Sequence, residues 1–433
     1  MLALGACTGG EIIGPRQDLA QPLDGGSDAD LSPVDDAGMP LLGPSRYPAG
    51  ALHSSMSPAV VARLSSVLSA TTGQKDVFAK VGDSITVDNN FLDCYAGTDV
   101  MLDSESALEP TRTWFNQTAV SGSNTSFDRT SLSATVGWSA GAAITGSPTP
   151  IQQEATAINP AFAVVMFGTN DTSATGFWTF EKNLRGVVDQ LLGLGVVPLL
   201  STIPPRGDST AMNALVPEMN AIIRAVAQYR QIPYMDYWQT LTGLPQYGLA
   251  GDGIHPQVFT GGHGCWLTPS ALQFGCNQRN RVTLESLDRV RRFLVAGTAA
   301  EAAPPPLLGA GTFANPRQID VLPFVDDGDT TKSTSSQANV YSCAPQDESG
   351  PEIVYTLTLT TAATVRARVY CDTNVDVDLH WLTQPDAAHC TARNDKTLEV
   401  IAQPGTYYLS VDSFVSAGVA KSGGYRLTVV TVP

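Results

Sequence analysis

An apolar run that stops on Gly-Asp-Ser constrains this chain more than any other stretch. Phe78-Ala79-Lys80-Val81-Gly82-Asp83-Ser84-Ile85-Thr86 reads as a buried strand that delivers a hydroxyl to the carboxyl end of a sheet, where open α/β sheets place their ligands. Two later stretches have the same logic. Val164-Val165-Met166-Phe167-Gly168-Thr169-Asn170-Asp171 is an apolar strand ending in small and polar residues, and Asp252-Gly253-Ile254-His255-Pro256 is a turn carrying a carboxylate and an imidazole. A Ser, an Asn and an Asp/His pair, each where secondary structure stops, can converge on one cleft. That is the equipment for acyl transfer.

The elements around these stretches alternate. Pro58 opens a helix carrying Val61, Leu64, Val67 and Leu68 at helical spacing, followed by a strand over Val77–Val81. Trp114 to Gly122 contains a short strand ending in Ser121-Gly122. Ala161–Phe167 is a strand, Glu181–Leu194 a helix closed by glycines, Val196–Leu200 a strand, Pro217–Tyr229 a helix, Ile232–Met235 a strand and Leu284–Val295 a last helix. Helix and strand in tight alternation predict a parallel sheet covered by helices.

Beyond a linker rich in Ala, Pro and Gly the period changes. Residues 353–359, 364–370, 375–381, 406–411 and 425–430 alternate with period two and are separated by turn residues, which predicts an antiparallel β-sandwich of roughly eight strands. The division is a tether at 1–50, a catalytic domain at 51–298, a linker at 299–316 and a sandwich at 317–433. The tether, with Asp24, Asp28, Asp30, Asp35 and Asp36 among Pro, Gly and Ser, has little to bury.

Composition narrows the partners. With 41 acidic against 25 basic residues, a net charge of -16 argues against nucleic acid or an anionic membrane surface. Seven cysteines without a Cys-x-x-Cys pair favour structural disulfides in an oxidising compartment over metal ligation. Cys265 and Cys276 are expected to pair across a short loop, the C-terminal three to give one pair and a leftover, and Cys94 to take that leftover as an interdomain bridge. Met1-Leu2-Ala3-Leu4-Gly5-Ala6-Cys7 resembles the end of a bacterial lipoprotein signal, which implies either a lipidated Cys7 or an ordinary N-terminal cysteine. Secretion, with or without a lipid anchor, is the expected localisation.

The chemistry assigns Ser84 as nucleophile, His255 as its base and Asp252 as the carboxylate that holds the imidazole tautomer. His263 is the rival base. The oxyanion of a tetrahedral intermediate needs donors, and the candidates are the Ser84 N–H, the Gly122 N–H and the Asn170 side chain. Asn170 as a helix cap and Gly122 as a turn residue are the alternatives. No metal or organic cofactor is called for. Asp326, Asp327 and Asp329 are either calcium-type oxygen donors or a solvated acidic turn.

Taken together, Gly82-Asp83-Ser84-Ile85-Thr86, Gly122, Gly168-Thr169-Asn170-Asp171 and Asp252-x-x-His255 resemble the four catalytic blocks of the SGNH (GDSL-like) hydrolases. The resemblance covers roughly residues 78–295 and implies a three-layer, flavodoxin-like parallel sheet. It also implies hydrolysis of carboxylic esters, including O-acetyl groups on polysaccharide and acyl chains on lipid. Acyl transfer to a sugar hydroxyl, or a non-catalytic scaffold, are the competing functions. An insertion over Thr260–Arg281, with His263, Cys265, Trp266 and Cys276, departs from the pattern and would form a rim. In the C-terminal region, Asp376-Val377-Asp378-Leu379, Gly405-Thr406-Tyr407-Tyr408-Leu409 and Gly424-Tyr425 resemble the bacterial pre-peptidase C-terminal domain. That implies attachment to a polymer or cell surface.

Overall fold

The computed structural model describes residues 44–432. Cys7 and most of the tether lie outside the described residues. Residues 45–50, counted with the tether, belong to the folded body instead. Tyr47 is buried and its hydroxyl donates to the Ile232 carbonyl at 2.9 Å, while Ser45 N–H donates to Gln231.

The first domain runs α1 (Pro58–Ser69), β1 (Gln74–Gly82), α2 (Ser84–Val87), α3 (Glu109–Phe115), α4 (Pro150–Ile158), β2 (Pro160–Met166), α5 (Asp171–Ala174), α6 (Phe177–Gly193), β3 (Val197–Ser201), α7 (Thr210–Asn213), α8 (Val216–Arg230), β4 (Tyr234–Met235), α9 (Tyr237–Leu241) and α10 (Gly275–Val290). Caps set several of these starts. Ser57 accepts from Val60 N–H ahead of Pro58, and Thr149 with Gln152 forms a capping box at α4. The strands form one parallel sheet in the order β1-β2-β3-β4. Every residue of β2 is buried, so both faces of this strand are covered.

Beside β1 the chain makes no further strand. It runs upward along the edge instead: Thr118 Oγ1 donates to Asp76, Ser126 Oγ accepts from Phe78 N–H, and Lys80 Nζ donates to the Phe127 carbonyl. Gly82 N–H then donates to Ser133 O, and Thr135 N–H to Gly82 O. The strand expected before Gly122 is therefore absent, and residues 120–124 are a turn.

The C-terminal region contains β5 (Arg317–Gln318), β6 (Phe324–Asp329), β7 (Glu352–Leu359), β8 (Ala363–Cys371), β9 (Val377–Leu382), β10 (Cys390–Asn394), β11 (Thr397–Ala402), β12 (Gly405–Ser413), β13 (Val415–Ser416), β14 (Val419–Ala420) and β15 (Gly424–Val432). Two sheets, β10-β9-β12-β7-β5 and β11-β8-β15-β6, share one apolar core with Tyr355, Leu379, Trp381 and Val411 from the first and Val369, Leu398, Tyr425 and Leu427 from the second. Pairing is antiparallel except that β5 runs parallel to β7, so the first sheet is mixed. Asp326 and Asp327 alternate across β6: the former accepts from Arg317 and Tyr355, the latter from Gln228. They do not form one oxygen cluster.

The two regions pack directly on each other. Glu218 of α8 accepts from Arg366 at 2.8 Å and Arg368 at 2.6 Å, Arg426 lies 2.8 Å from Glu181 of α6, and Ala221, Ala225, Val325 and Val430 form an apolar seam. Cys94 pairs with Cys265 and Cys343 with Cys390. The expected Cys265–Cys276 bridge does not form, because α10 begins at Gly275 rather than near Leu284. Cys276 becomes a buried helical residue whose thiol donates to the Asn90 carbonyl. Nor does Cys94 cross between domains.

Candidate active site

Gly82 ends β1 where a side chain has no room. A Cβ there would stand 2.2 Å from Thr86 Oγ1 and 2.8 Å from the Met166 carbonyl. Asp83 then caps α2, its Oδ1 accepting from Ile85 N–H at 3.0 Å, and Ser84 occupies the first helical position. A first-turn N–H has no intrahelical partner, and that of Ser84 makes no hydrogen bond among the described residues.

Ser84 Oγ is 2.9 Å from His255 Nε2, and His255 Nδ1 is 2.6 Å from Asp252 Oδ2. Asp252 Oδ1 also accepts the backbone N–H groups of Ile254 and His255, each at 3.0 Å. Partial desolvation works against the Asp252 charge. The Ile254 and His255 bonds outweigh it and hold the carboxyl down at about 2. Gly253 makes the turn at φ +70, where a Cβ would meet Asp208 N at 2.6 Å, and its carbonyl accepts from Gly207 N–H. The pair is open to solvent, with side chains 37% and 46% exposed. The surface cavities lined by Tyr47, His53 and Arg289 and by Gly97, Asp103 and Arg112 include none of these residues.

The rival base is elsewhere. His263 Nδ1 contacts Asp99 at 2.9 Å and its ring stacks on Trp266 at 3.9 Å, while Trp266 Nε1 donates to the same carboxylate. The Cys94–Cys265 bridge fixes this rim.

Asn170 caps nothing with its side chain. Its Nδ2 turns toward the neighbour of Ser84, donating to Asp83 Oδ2 at 3.3 Å and to the Trp138 carbonyl at 3.0 Å. Asp171 accepts from Ala140 N–H, so the third block holds the 138–140 loop. Burial pushes Asp83 up to about 6, against the Ile85 N–H and Arg279, and Asp171 up to about 6 as well, with Asp83 adding repulsion.

Gly122 is not among the residues brought together. It lies between Thr118, beside Asp76, and Ser126, beside Phe78, and so flanks the lower half of β1. Successive residues of a strand advance about 3.3 Å, which separates that region from Ser84. The glycine that follows the Gly82 bridge is Gly137, next to Trp138. It sits at φ +79, where a side chain is strained, and its N–H has no hydrogen-bond partner among the described residues. The serine-rich stretch before it was its one sequence signal: Ser131 and Ser133 hydroxyls both donate to the Lys80 carbonyl. The sequence reading also missed Arg279, whose guanidinium donates to the Ile85 carbonyl and to Thr86 Oγ1 and lies over the Phe91 ring.

Residues 81–258 match the GDSL-like Lipase/Acylhydrolase family. No curated protein matches the chain. Among solved structures, a GDSL-like lipase from Bacteroides thetaiotaomicron VPI-5482 is similar at 13% identity over 53% of this chain and 98% of its own, with a TM-score of 0.33. Axe2, an acetylxylan esterase from Geobacillus stearothermophilus studied as a catalytic mutant, is similar at 15% identity over 50% and 95%, with a TM-score of 0.34. The pre-peptidase C-terminal domain of collagenase from Bacillus anthracis is similar at 18% identity over 25% and 89%, with a TM-score of 0.18. The chain thus carries a GDSL-like hydrolase domain and is an enzyme of the SGNH/GDSL hydrolase type.

Proposed function

We propose that this protein is an exported serine esterase that hydrolyses carboxylic esters through Ser84, His255 and Asp252. The observation that carries the reading is the continuous contact from Ser84 Oγ through the imidazole to Asp252. His255 Nε2 takes the serine proton as Oγ attacks the ester carbonyl, and returns it to the leaving alcohol. A water deprotonated by the same nitrogen then releases the acid and frees Ser84. The N–H groups of Ser84 and Gly137 and the Asn170 amide receive the oxyanion, with Gly137 in the part first given to Gly122. In this reading the sheet is the middle of a three-layer, flavodoxin-like domain, and the C-terminal region is a pre-peptidase-type sandwich that meets a polymer or cell surface.

A short acyl group on a bulky alcohol, such as O-acetyl on polysaccharide, suits the site better than a lipid chain, because the His255 and Asp252 side chains are open to solvent. A non-catalytic scaffold called for a misoriented Ser84 and His255, and the 2.9 Å contact counts against it. Hydrolysis of aryl esters from acetyl to dodecanoyl tests the reading: activity is expected to be greatest on acetyl and to vanish in Ser84→Ala.

A further inference from the structure

On the outer face of the five-stranded sheet, away from its apolar core, the structure places a buried layer of acids. Asp378 and His380 are two apart on β9 and therefore share a face. Asp412 pairs with Asp378 in register, and Glu352 pairs with Asp412. The segment before β7 covers this face, bringing Glu348 over it and stacking Tyr341 on the His380 ring at 3.7 Å. Glu348, Glu352, Asp378, His380 and Asp412 are all at most 2% exposed.

Two of these acids, Glu348 and Asp412, and the histidine lack partners that burial demands. Both Glu348 oxygens, both His380 ring nitrogens and Asp412 Oδ1 are buried without a hydrogen bond among the described residues. Buried polar atoms are rarely left so, and a buried carboxylate without a counter-charge is costly. Glu352 is satisfied by Ser335 Oγ and Gln337 N–H. The other Asp412 oxygen accepts from Tyr341. Arg393 is the cation that touches the layer, with Lys396 acting on Asp378 from farther off: it binds Asp378 Oδ2, comes only to 3.9 Å of Glu348, and also serves the exposed Asp395. One guanidinium is shared among three carboxylates.

We propose that Glu348, Asp378 and His380 form a binding site for one divalent transition cation of the zinc class, which pins the covering segment to β9. Ligand-capable atoms of the three lie within 4.8 Å of one another, with Glu348 Oε1 3.7 Å from His380 Nε2. One imidazole with carboxylates suits zinc and its neighbours, whereas calcium takes oxygen ligands and six to eight of them. The nearby Cys343 and Cys390 are joined in a disulfide and supply no thiolate. The rival occupant is a proton: desolvation first and Asp378 second drive the Glu348 carboxyl well above its ordinary value.

The test uses the full chain, stripped with chelator and titrated with zinc, calcium and cobalt(II) in a calorimeter, with thermal melts alongside. The expected result is one equivalent of zinc and a raised melting temperature. His380→Gln and Glu348→Gln should each weaken zinc binding at least tenfold, and His389→Ala, at the exposed Asp386–His389 pair, should not. Should the β9 variants fail to fold, the cobalt-loaded wild type decides, since low-symmetry nitrogen and oxygen ligation gives visible absorption bands stronger than those of aqueous cobalt. Calcium binding in place of zinc, loss of binding through His389 alone, or no metal uptake would each overturn the proposal. Uptake is read by calorimetry, so failure of the esterase reading would leave this result unaffected.

Discussion

Nη2 of Arg279 donates to Thr86 Oγ1 at 2.9 Å, and through that contact the last long helix of the first domain grips the turn that carries Ser84. α2 has four residues, too few to hold a helix by itself. Arg279→Met should leave the Ile85 carbonyl without its donor, costing about 1–3 kcal/mol in urea unfolding. The same change should lower kcat about tenfold or more with KM little changed, since geometry and not substrate contact is lost. A variant with wild-type kcat would remove Arg279 from the positioning of Ser84.

The carboxylate of the triad is predicted to act by its charge and orientation. Asp252 is held at about 2, so it is ionised at neutral pH. Asp252→Asn should cut kcat by about 10²–10⁴ and leave the fold intact by circular dichroism. A loss under threefold would mean that His255 keeps its tautomer without it.

Asp83 and Asp171 set a stability trend of the opposite kind to an ordinary ion pair. Each has a folded value of about 6 against an ordinary 3.8, so between those limits the native state holds more protons than the unfolded chain, and stability falls as pH rises. A shift of about two units is worth about 3 kcal/mol. Asp83→Asn keeps an acceptor for Ile85 N–H but cannot ionise. Relative to wild type it should gain about 3 kcal/mol on going from pH 4 to pH 7 in denaturant titrations, and a constant difference would refute the buried charge.

The contact between the two regions should make them unfold together. Glu218 is 2% exposed between Arg366 and Arg368, and removing one partner of a buried pair costs about 3–5 kcal/mol. Wild type should melt in one calorimetric transition, and Glu218→Ala should lower or split it. Two independent transitions in wild type would contradict this coupling.

The contact from Ser84 through His255 to Asp252 was legible in the chain because each stretch that makes it is short and local. Gly82-Asp83-Ser84 and Asp252-x-x-His255 carry their geometry in consecutive residues, as the Ile254 and His255 bonds to Asp252 illustrate. Gly137, and not Gly122, follows the stretch that pairs with Gly82 at residues 133–135, a long-range pairing with no local trace in the sequence. Cys276 was misassigned by sequence proximity: the start of α10 at Gly275 buries it in a helix, while Cys94 reaches Cys265 across 171 residues. Arg279 carried no local signal at all, because its partners Ile85 and Thr86 are more than 190 positions away in the chain.

The most direct test of the catalytic account is the rate of p-nitrophenyl acetate hydrolysis by purified wild type and Ser84→Ala at matched concentration. The account predicts turnover by wild type, a fall of at least about 10³ in kcat on replacing the nucleophile, and an unchanged melting temperature within a few degrees. Equal rates in the two proteins would contradict it, because the ester would then be cleaved without the Ser84 hydroxyl.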